Sequence, residues 1–153
     1  MEGKFAIETI QLSVAAKLSN LAGIRNFVCT ALIPCCDDEE FLYELTLAVE
    51  EAVTNIIMHG YQGKKGIITL MIVPNESCVE IVLQDDAPAF DPSSVPAPRL
   101  DLPLELRPLG GLGILIIRKY SEKMSYRRTP SGMNELKIVK SFPLHPESAQ
   151  SKI

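Results

Sequence analysis

The stretch EAVTNIIMHGY, residues 51–61, places a carboxylate and an amide four positions apart in an otherwise largely apolar segment. It ends a longer run, residues 39–60, in which apolar side chains recur at helical spacing. The side chains that share one face of this helix are Leu42, Leu45, Val49, Val53, Ile56 and Ile57. Because each residue advances about 100° around a helix, Glu51 projects nearly opposite that face and Asn55 lies about 40° further round. The pattern predicts a core helix that ends near Gly60.

The spacing leaves two interpretations of Glu51 and Asn55 open. In the first, both side chains face water, because a polar group buried without a partner costs about 1–3 kcal/mol. In the second, the helix is covered on both sides, because Leu47, Ala48 and Met58 lie on the same side as the polar pair. A partly covered carboxylate and amide would then bind a divalent cation, or hold a substrate hydroxyl beside a general base.

The remaining periodicities predict one domain that spans residues 1–153. The expected elements are a strand (4–16), two helices (19–32 and 39–60), two strands (66–74 and 78–85), a helix (110–124) and a closing hairpin (125–128 and 134–142). Helices gathered against such a sheet form a two-layer α/β sandwich of the α+β class, and we expect a mixed, mostly antiparallel sheet. The polar tail, residues 143–153, is expected to fray.

A proline-rich loop separates the second predicted strand pair from the last helix. Residues 87–109 contain six prolines, too many for a helix or a central strand. Loops of this length inside a domain often serve as lids over a binding site. Asp85 and Asp86, just before the loop, either cap a turn or accept a hydrogen bond from the amino group of a nucleobase.

A glycine cluster follows the loop and opens the last helix. Gly110, Gly111 and Gly113 would let a polyanion approach the backbone and the N–H groups at the helix start. Alone, this cluster is weak evidence, because many helices begin at a glycine turn. Its position after the acid–amide helix, the strand-end aspartates and the proline-rich loop strengthens the case for a phosphate site.

Composition and charge narrow the function classes. The net charge of −4 and the lack of a Lys/Arg run argue against direct nucleic-acid or membrane binding. No segment has the length of a membrane span or the pattern of a signal peptide, so we expect a cytoplasmic protein. The four cysteines lack zinc-site spacing and are expected to be reduced. His59 and His145 are too far apart in sequence to indicate a metal site.

The ordered motifs resemble those of the GHKL ATPase/kinase superfamily and, within it, the bacterial anti-sigma factor serine/threonine kinases. The N box is matched by LAVEEAVTNIIMHGY, and the first glycine box is matched in part by LQDDAPAFDP. The second glycine box is matched by LRPLGGLGILIIRKYSEKMSY, and the last strand by GMNELKIVK. The resemblance extends from the first strand to about Phe142, and it implies the Bergerat-type ATP-binding fold with bound ATP and Mg²⁺.

The resemblance implies a role for each polar residue of the N box and of the following strand end. Asn55 would be the Mg²⁺ ligand, and Glu51 would be the base that activates the attacking hydroxyl. Asp85 would bind the adenine amino group. His59 also matches the family pattern and is expected to make a structural hydrogen bond.

The resemblance also assigns the end of the lid, residues 87–109, to the phosphates. Gly111 and Gly113 would shape the phosphate-binding turn, with Gly110 at its edge. Arg107, just before that turn, would lie near the terminal phosphate.

One departure concerns the first glycine box, which usually reads D-x-G-x-G. Ala87, at a cofactor-binding position of the family, and Ala89 stand where the two glycines would be. Glycine lets the backbone come close to the adenine, so an added methyl group is expected to crowd or reposition the base.

The function that the resemblance implies is that of an ATP-dependent serine/threonine protein kinase that is also an anti-sigma factor. Such a protein sequesters a sigma factor and phosphorylates an anti-anti-sigma partner; a homodimer is expected on the same ground. An alternative is a non-catalytic binding module that sequesters a regulatory protein and is switched by nucleotide binding. A third is the detached ATP-binding domain of a histidine kinase, which the absence of a phosphoacceptor helix pair disfavours.

Overall fold

The computed structural model describes residues 8–94, 99–106 and 112–144, and within these residues the protein has five strands and three α-helices. The strands are β1 (Ile10–Ala15), β2 (Ile67–Pro74), β3 (Cys78–Asp85), β4 (Lys123–Arg128) and β5 (Asn134–Ser141). The helices are α1 (Leu21–Leu32), α2 (Glu39–Asn55) and α3 (Leu112–Lys119). A π-helical turn, Ile56–Gly60, continues α2, and short 3₁₀ turns occupy Leu18–Asn20, Pro92–Ser94 and Leu104–Leu106.

The strands form one sheet in the order β1-β2-β3-β5-β4. All four neighbouring pairs are antiparallel, so the expected mixed sheet is wrong in that detail, whereas the α+β class is confirmed. The register aligns Leu70 with Leu83 and Leu83 with Leu136 across three adjacent strands. Because side chains alternate between the two faces of a strand, these rows build a continuous apolar face.

The helices cover that apolar face. In α1 the buried residues Ile24, Val28 and Leu32 recur every four positions, the spacing of a single helix face. Helix α2 is capped by the Asp38 carboxylate, which accepts a hydrogen bond from the Phe41 N–H at 2.8 Å. The apolar residues of helices and strands merge into one buried cluster, and this core holds α2 in the middle of the domain.

The predicted bounds fail chiefly at the end of α3. The helix was expected to reach residue 124, but it ends at Lys119 and β4 begins at Lys123. The Ser121 hydroxyl donates to the Ile117 carbonyl at 2.6 Å and closes the last turn. Met124 fits the helical period but pairs with Ile138 of β5, so its apolar side chain joins the core from a strand.

The first predicted strand is shorter than expected over the described residues, since β1 covers only Ile10–Ala15. Residues 1–7 and 145–153 lie outside the described part of the chain. Within the proline-rich loop, the described residues carry only turns, as expected from the prolines. None of the helices in the described ranges is long and apolar enough to cross a membrane.

Candidate active site

Glu51 and Asn55 lie under the first turn of α3. Both side chains are half-buried. A methyl group placed at Gly113 would lie 2.8 Å from Glu51 Oε2 and 3.5 to 3.6 Å from the amide atoms of Asn55. The backbone of α3 therefore approaches the pair so closely that a side chain at residue 113 would occupy the same space. The acid–amide pair is partly covered, and this geometry agrees with the second of the two interpretations.

The surroundings of Glu51 make its carboxylate a stronger base than an exposed one. Burial raises the pKa of Glu51, and the neighbouring Glu50 carboxylate raises that pKa further. Glu50 points to the other side of α2, where it forms an ion pair with Arg25 of α1. A general base works best when its pKa lies near the working pH, so the shift has the direction that proton abstraction requires.

A π-helical turn begins directly after Asn55. Such turns occur mostly as single insertions, frequently at functional sites. In the turn Ile56–Gly60, the exposed His59 ring stacks on Phe90 with their centroids 5.8 Å apart. Among the described residues the expected structural hydrogen bond of His59 is not found, and the contact of its ring there is with Phe90, the first aromatic residue of the loop.

Asp85 ends β3 with its side chain almost fully buried, at 3% exposure. Its Oδ1 accepts two hydrogen bonds, from the Ala87 N–H at 3.0 Å and from Asn134 Nδ2 at 2.8 Å. Burial raises the pKa of Asp85, whereas the hydrogen bonds from Asn134 and Ala87 act in the opposite direction. Asp85 thus caps the turn, as one interpretation predicted, and it also presents a second carboxylate oxygen.

The neighbouring Asp86 is exposed and is held by a tyrosine. The hydroxyl of Tyr61 lies 2.6 Å from both the Ile67 carbonyl oxygen and an Asp86 carboxylate oxygen. It also accepts the Asp86 N–H at 3.1 Å. Burial is the main cause that raises the pKa of Tyr61 to about 12, and the hydrogen bond with the Asp86 carboxylate is the second cause. Tyr61 therefore remains a neutral donor that ties the end of the π-helical turn to the loop after β3.

The alanine at position 87 is accommodated by the protein. Ala87 is 2% exposed and belongs to the core cluster. A Cβ atom placed at Gly60 would lie 3.4 Å from the Ala87 methyl carbon, so that methyl fills the space beside a residue without a side chain. Within the described ranges, the only non-glycine residue with positive φ is Gln62, so neither Ala87 nor Ala89 requires a backbone conformation that favours glycine.

The structure brings the predicted residues together in two groups. Glu51, Asn55 and Gly113 meet at the interface of α2 and α3. Asp85 and Ala87 lie at the end of β3, and the contact between Ala87 and Gly60 joins this second group to the first through the π-helical turn. The other predicted positions, Arg107, Gly110 and Gly111, lie outside the described residues.

Three residues of the closing hairpin and its strands also belong to the site and were not predicted. They are Tyr126, Arg128 and Asn134, which are joined to one another and to the Asp85 turn by hydrogen bonds. The sequence contained a signal, because the segment GMNELKIVK was matched to the last family strand. No individual role was assigned, since nothing in the segment shows which residue faces Asp85.

Comparison with known proteins identifies the family. Residues 14–140 match the model of the family described as histidine kinase-like ATPase domain. The chain belongs to this family. The resemblance drawn from the N box and the glycine boxes is thereby confirmed, and the chain carries an ATPase domain of the histidine kinase-like type.

Several curated relatives of this histidine kinase-like domain are named as protein kinases or as an anti-sigma factor. The serine-protein kinase RsbW of Bacillus cereus is 32% identical over 117 residues, which cover 72% of this chain and 71% of the relative. The serine/threonine-protein kinase BtrW of Bordetella bronchiseptica is 30% identical over 98 residues, or 63% and 68% of the two chains. The anti-sigma F factor of a Thermoanaerobacter species is 25% identical over 140 residues, or 86% and 92%.

A solved structure shares the fold. The crystal structure of the RsbU and RsbW domains of a Mycobacterium tuberculosis protein aligns with 90% of this chain at a TM-score of 0.58 and 13% identity. The alignment covers 34% of that longer chain. At this identity the likeness concerns the arrangement of strands and helices, and it agrees with the two-layer α+β architecture.

Proposed function

We propose that this histidine kinase-like ATPase domain is an anti-sigma factor that transfers the γ-phosphoryl group of ATP to a serine of an anti-anti-sigma protein. The proposal is supported by relatives named serine-protein kinase and anti-sigma F factor. The observation that carries it is the half-buried Glu51–Asn55 pair beneath the first turn of α3 at Gly113. A bacterial protein with this activity works in the cytoplasm, where sigma factors act.

The nucleotide would be held at both ends of the site. The free carboxylate oxygen of Asp85 would accept a hydrogen bond from the adenine amino group. The first N–H groups of α3, which begins at Leu112, would face the phosphates, because the start of a helix favours negative charge. Arg107 and the glycines at 110 and 111 would complete the phosphate contacts, as the family resemblance implies.

Mg²⁺ fits the donor groups next to the phosphate end. Among the described residues no cluster of three or more His, Cys, Asp or Glu side chains would hold a metal by itself. Mg²⁺ is usually bound by one or two protein oxygens together with substrate phosphates, so the amide oxygen of Asn55 suits it as a protein ligand. When bound, the cation neutralises charge on the transferring phosphoryl group.

Glu51 would act as the general base. Its carboxylate accepts the proton of the serine hydroxyl while the serine oxygen forms a bond to the γ-phosphorus. The bond between that phosphorus and the bridging oxygen breaks, and ADP leaves with the electron pair. Most of the rate enhancement in such reactions comes from positioning and charge neutralisation, which the α2–α3 interface supplies.

The partners of this activity are a sigma factor, which the protein would sequester, and the anti-anti-sigma substrate. Homodimerisation is part of the same proposal, and sedimentation of the purified protein tests it. The alternative is a non-catalytic module that uses ATP only as a switch or has lost tight ATP binding through Ala87. The core position of the Ala87 methyl beside Gly60 argues against the second form of this alternative.

A phosphoryl-transfer assay tests the proposal. Native protein, Glu51→Gln and the control Glu40→Gln, an exposed carboxylate of the first turn of α2, are incubated with γ-labelled ATP and an anti-anti-sigma protein encoded beside the gene. Native protein and Glu40→Gln are expected to label a serine at equal rates. Loss of the base lowers the rate about 100-fold or more. No labelled serine with native protein would overturn the kinase proposal, and an unchanged rate for Glu51→Gln would overturn the assignment of the base.

A further inference from the structure

Asn134, the first residue of β5, sits at the centre of the hydrogen bonds around Asp85. The residue is 4% exposed. Its Nδ2 donates to Asp85 Oδ1 at 2.8 Å and to the Ala87 carbonyl oxygen at 3.0 Å, and lies 3.3 Å from the Pro88 carbonyl oxygen. One amide group thus holds the strand-end carboxylate and the first two residues of the following loop.

The orientation of this amide is fixed by β4. Asn134 Oδ1 accepts from the Tyr126 hydroxyl at 2.6 Å and from Arg128 Nη1 at 3.0 Å. Because Arg128 can only donate, and the Asp85 carboxylate and the Ala87 carbonyl can only accept, a flipped amide would set donor against donor and acceptor against acceptor. The NH₂ group must therefore face Asp85. Arg128 Nη1 also lies 3.3 Å from the Ala87 carbonyl oxygen, which ties the same loop residue to β4.

This arrangement leaves one oxygen of Asp85 for a ligand. Both protein donors, the Ala87 N–H and Asn134 Nδ2, go to Oδ1. Asp85 Oδ2 has no donor among the described residues. In that part of the chain no buried side-chain nitrogen or oxygen lacks a hydrogen-bond partner, so Oδ2 reaches the accessible surface even though the residue is 3% exposed.

An ionised carboxylate oxygen discriminates between purine bases. The six position of adenine carries an amino group, which donates, whereas guanine carries a carbonyl oxygen there, which accepts. An acceptor fixed at that point pairs with adenine and opposes guanine. A protonated carboxyl group could donate to the guanine carbonyl oxygen, and a displaced carboxylate could instead accept from the guanine N1–H. Selectivity therefore depends on whatever keeps Asp85 ionised and in place.

We propose that Asn134, held in orientation by Tyr126 and Arg128, is the positioning residue that makes this site select adenine over guanine nucleotides. It occupies Oδ1 with a donor, directs Oδ2 to the ligand and anchors the loop at Ala87 and Pro88. This inference rests on the nucleotide-binding role of the site given under Proposed function. This role goes beyond that of a satisfied core amide, and it predicts that loss of Asn134 changes base preference as well as stability.

The control for the experiment is the next residue of β5. Glu135 is also buried, at 8% exposure, and is held by Gln84 at 2.7 Å and Arg127 at 2.7 Å. Its side chain lies on the opposite face of the strand from Asn134. Glu135→Ala therefore removes a buried, hydrogen-bonded polar group from the same strand without touching Asp85. It shows how far a loss of stability alone changes nucleotide preference.

The test measures dissociation constants of magnesium-ATP and magnesium-GTP by calorimetry for native protein, Asn134→Ala, Asn134→Asp and Glu135→Ala, with Tm for each. Asn134→Asp keeps the size of the side chain and replaces its donor by an acceptor, so it serves if the alanine variant fails to fold. For both Asn134 variants we expect the preference for ATP over GTP to fall about 10-fold or more, the effect of one hydrogen bond to a charged group. Glu135→Ala should lower Tm and leave the preference unchanged.

The outcomes separate this inference from the proposed function. If the Asn134 variants keep the native preference, or shift it no more than Glu135→Ala does, the positioning role is wrong while kinase activity can still stand. If native protein binds ATP selectively but labels no serine, the kinase proposal falls and the selectivity result still decides the role of Asn134. If native protein binds neither nucleotide at millimolar concentration, both are wrong.

Discussion

The two halves of the candidate site differ in how their side chains are held. In the strand half, Asp85 and Asn134 are nearly buried and joined by hydrogen bonds to one another and to β4. In the helix half, Glu51 and Asn55 are half-buried and make no side-chain hydrogen bond among the described residues. The strand half is organised before any ligand arrives, whereas in the described part of the chain no side-chain partner holds the carboxylate and amide of the helix half.

This difference indicates a division of labour. A prearranged acceptor suits the recognition of a base, since little freedom is lost on binding. An unpaired acid and amide suit groups that the ligand itself supplies, a cation on the phosphates and a hydroxyl proton. We therefore expect changes in the strand half to act on nucleotide affinity and changes in the helix half to act on phosphoryl transfer.

The largest effect is expected where α3 touches the helix half. Gly113→Ala places a methyl group 2.8 Å from Glu51 Oε2. Because the carboxylate is the free end of a flexible side chain, the fold survives but Glu51 is displaced, and we expect phosphoryl transfer to fall about 100-fold. The labelled-ATP assay measures the rate, and circular dichroism checks the fold.

Gly23→Ala is the matched control for that substitution. Gly23 also lies inside a helix, and a methyl group there meets nothing within 4 Å. Alanine should raise stability by about 0.5–1 kcal/mol and leave transfer unchanged. Native transfer by Gly113→Ala would show that the approach of α3 does not matter to the chemistry, which would break the comparison between the halves.

A smaller effect is expected at Tyr61, whose hydroxyl links the end of the π-helical turn to the loop after β3. Tyr61→Phe removes the hydroxyl that contacts Ile67 and Asp86, and we expect a loss of about 1–2 kcal/mol of unfolding free energy. Tyr43→Phe, at a tyrosine 64% exposed, is the control and should be neutral. Urea unfolding at pH 8 measures both variants. Equal stability of native protein and Tyr61→Phe would contradict the proposed tie.

The pH dependence of the same variant sharpens this test. The pKa of Tyr61 is about 12 in the folded protein, above the usual value of 10.0. Folding thus favours the protonated phenol, so its contribution is complete below pH 10 and is lost as the pH rises towards 12. The stability difference between native protein and Tyr61→Phe should therefore shrink between pH 9 and pH 12. A constant difference would rule out this linkage.

The smallest effect is expected at the alanine that replaces a family glycine. Ala87→Gly removes a buried methyl group that packs beside Gly60, and should lower stability by about 1 kcal/mol. Since the methyl faces the protein, affinity for magnesium-ATP should change less than about threefold. Calorimetry measures the affinity. A tenfold gain on restoring glycine would show that the methyl does crowd the base.

How much of the molecule the sequence predicts depends on the range of the interactions involved. Strand β3 was placed with both bounds correct because its apolar run lies between clear turn signals. The helix carrying Glu51 was placed because its periodicity is local. The end of α3 was missed, since Met124 fits the helical spacing although it pairs in β4.

The site shows the same limit. Glu51, Asn55 and Asp85 were predicted as site residues from short motifs. The role of Asn134 was not, because it arises from the register that sets Asp85 opposite Asn134 across β3 and β5. That register depends on the packing of the whole sheet, and no local pattern in residues 78–85 or 134–141 specifies it.

The most direct test of the division between the two halves is calorimetry with magnesium-ATP on Asp85→Asn beside Glu51→Gln. We expect Asp85→Asn to weaken binding at least about 10-fold, because the amide lacks the charged acceptor for the base. Glu51→Gln should bind ATP within about threefold of the native protein. Native affinity in Asp85→Asn together with lost binding in Glu51→Gln would contradict the assignment of base recognition to the strand half.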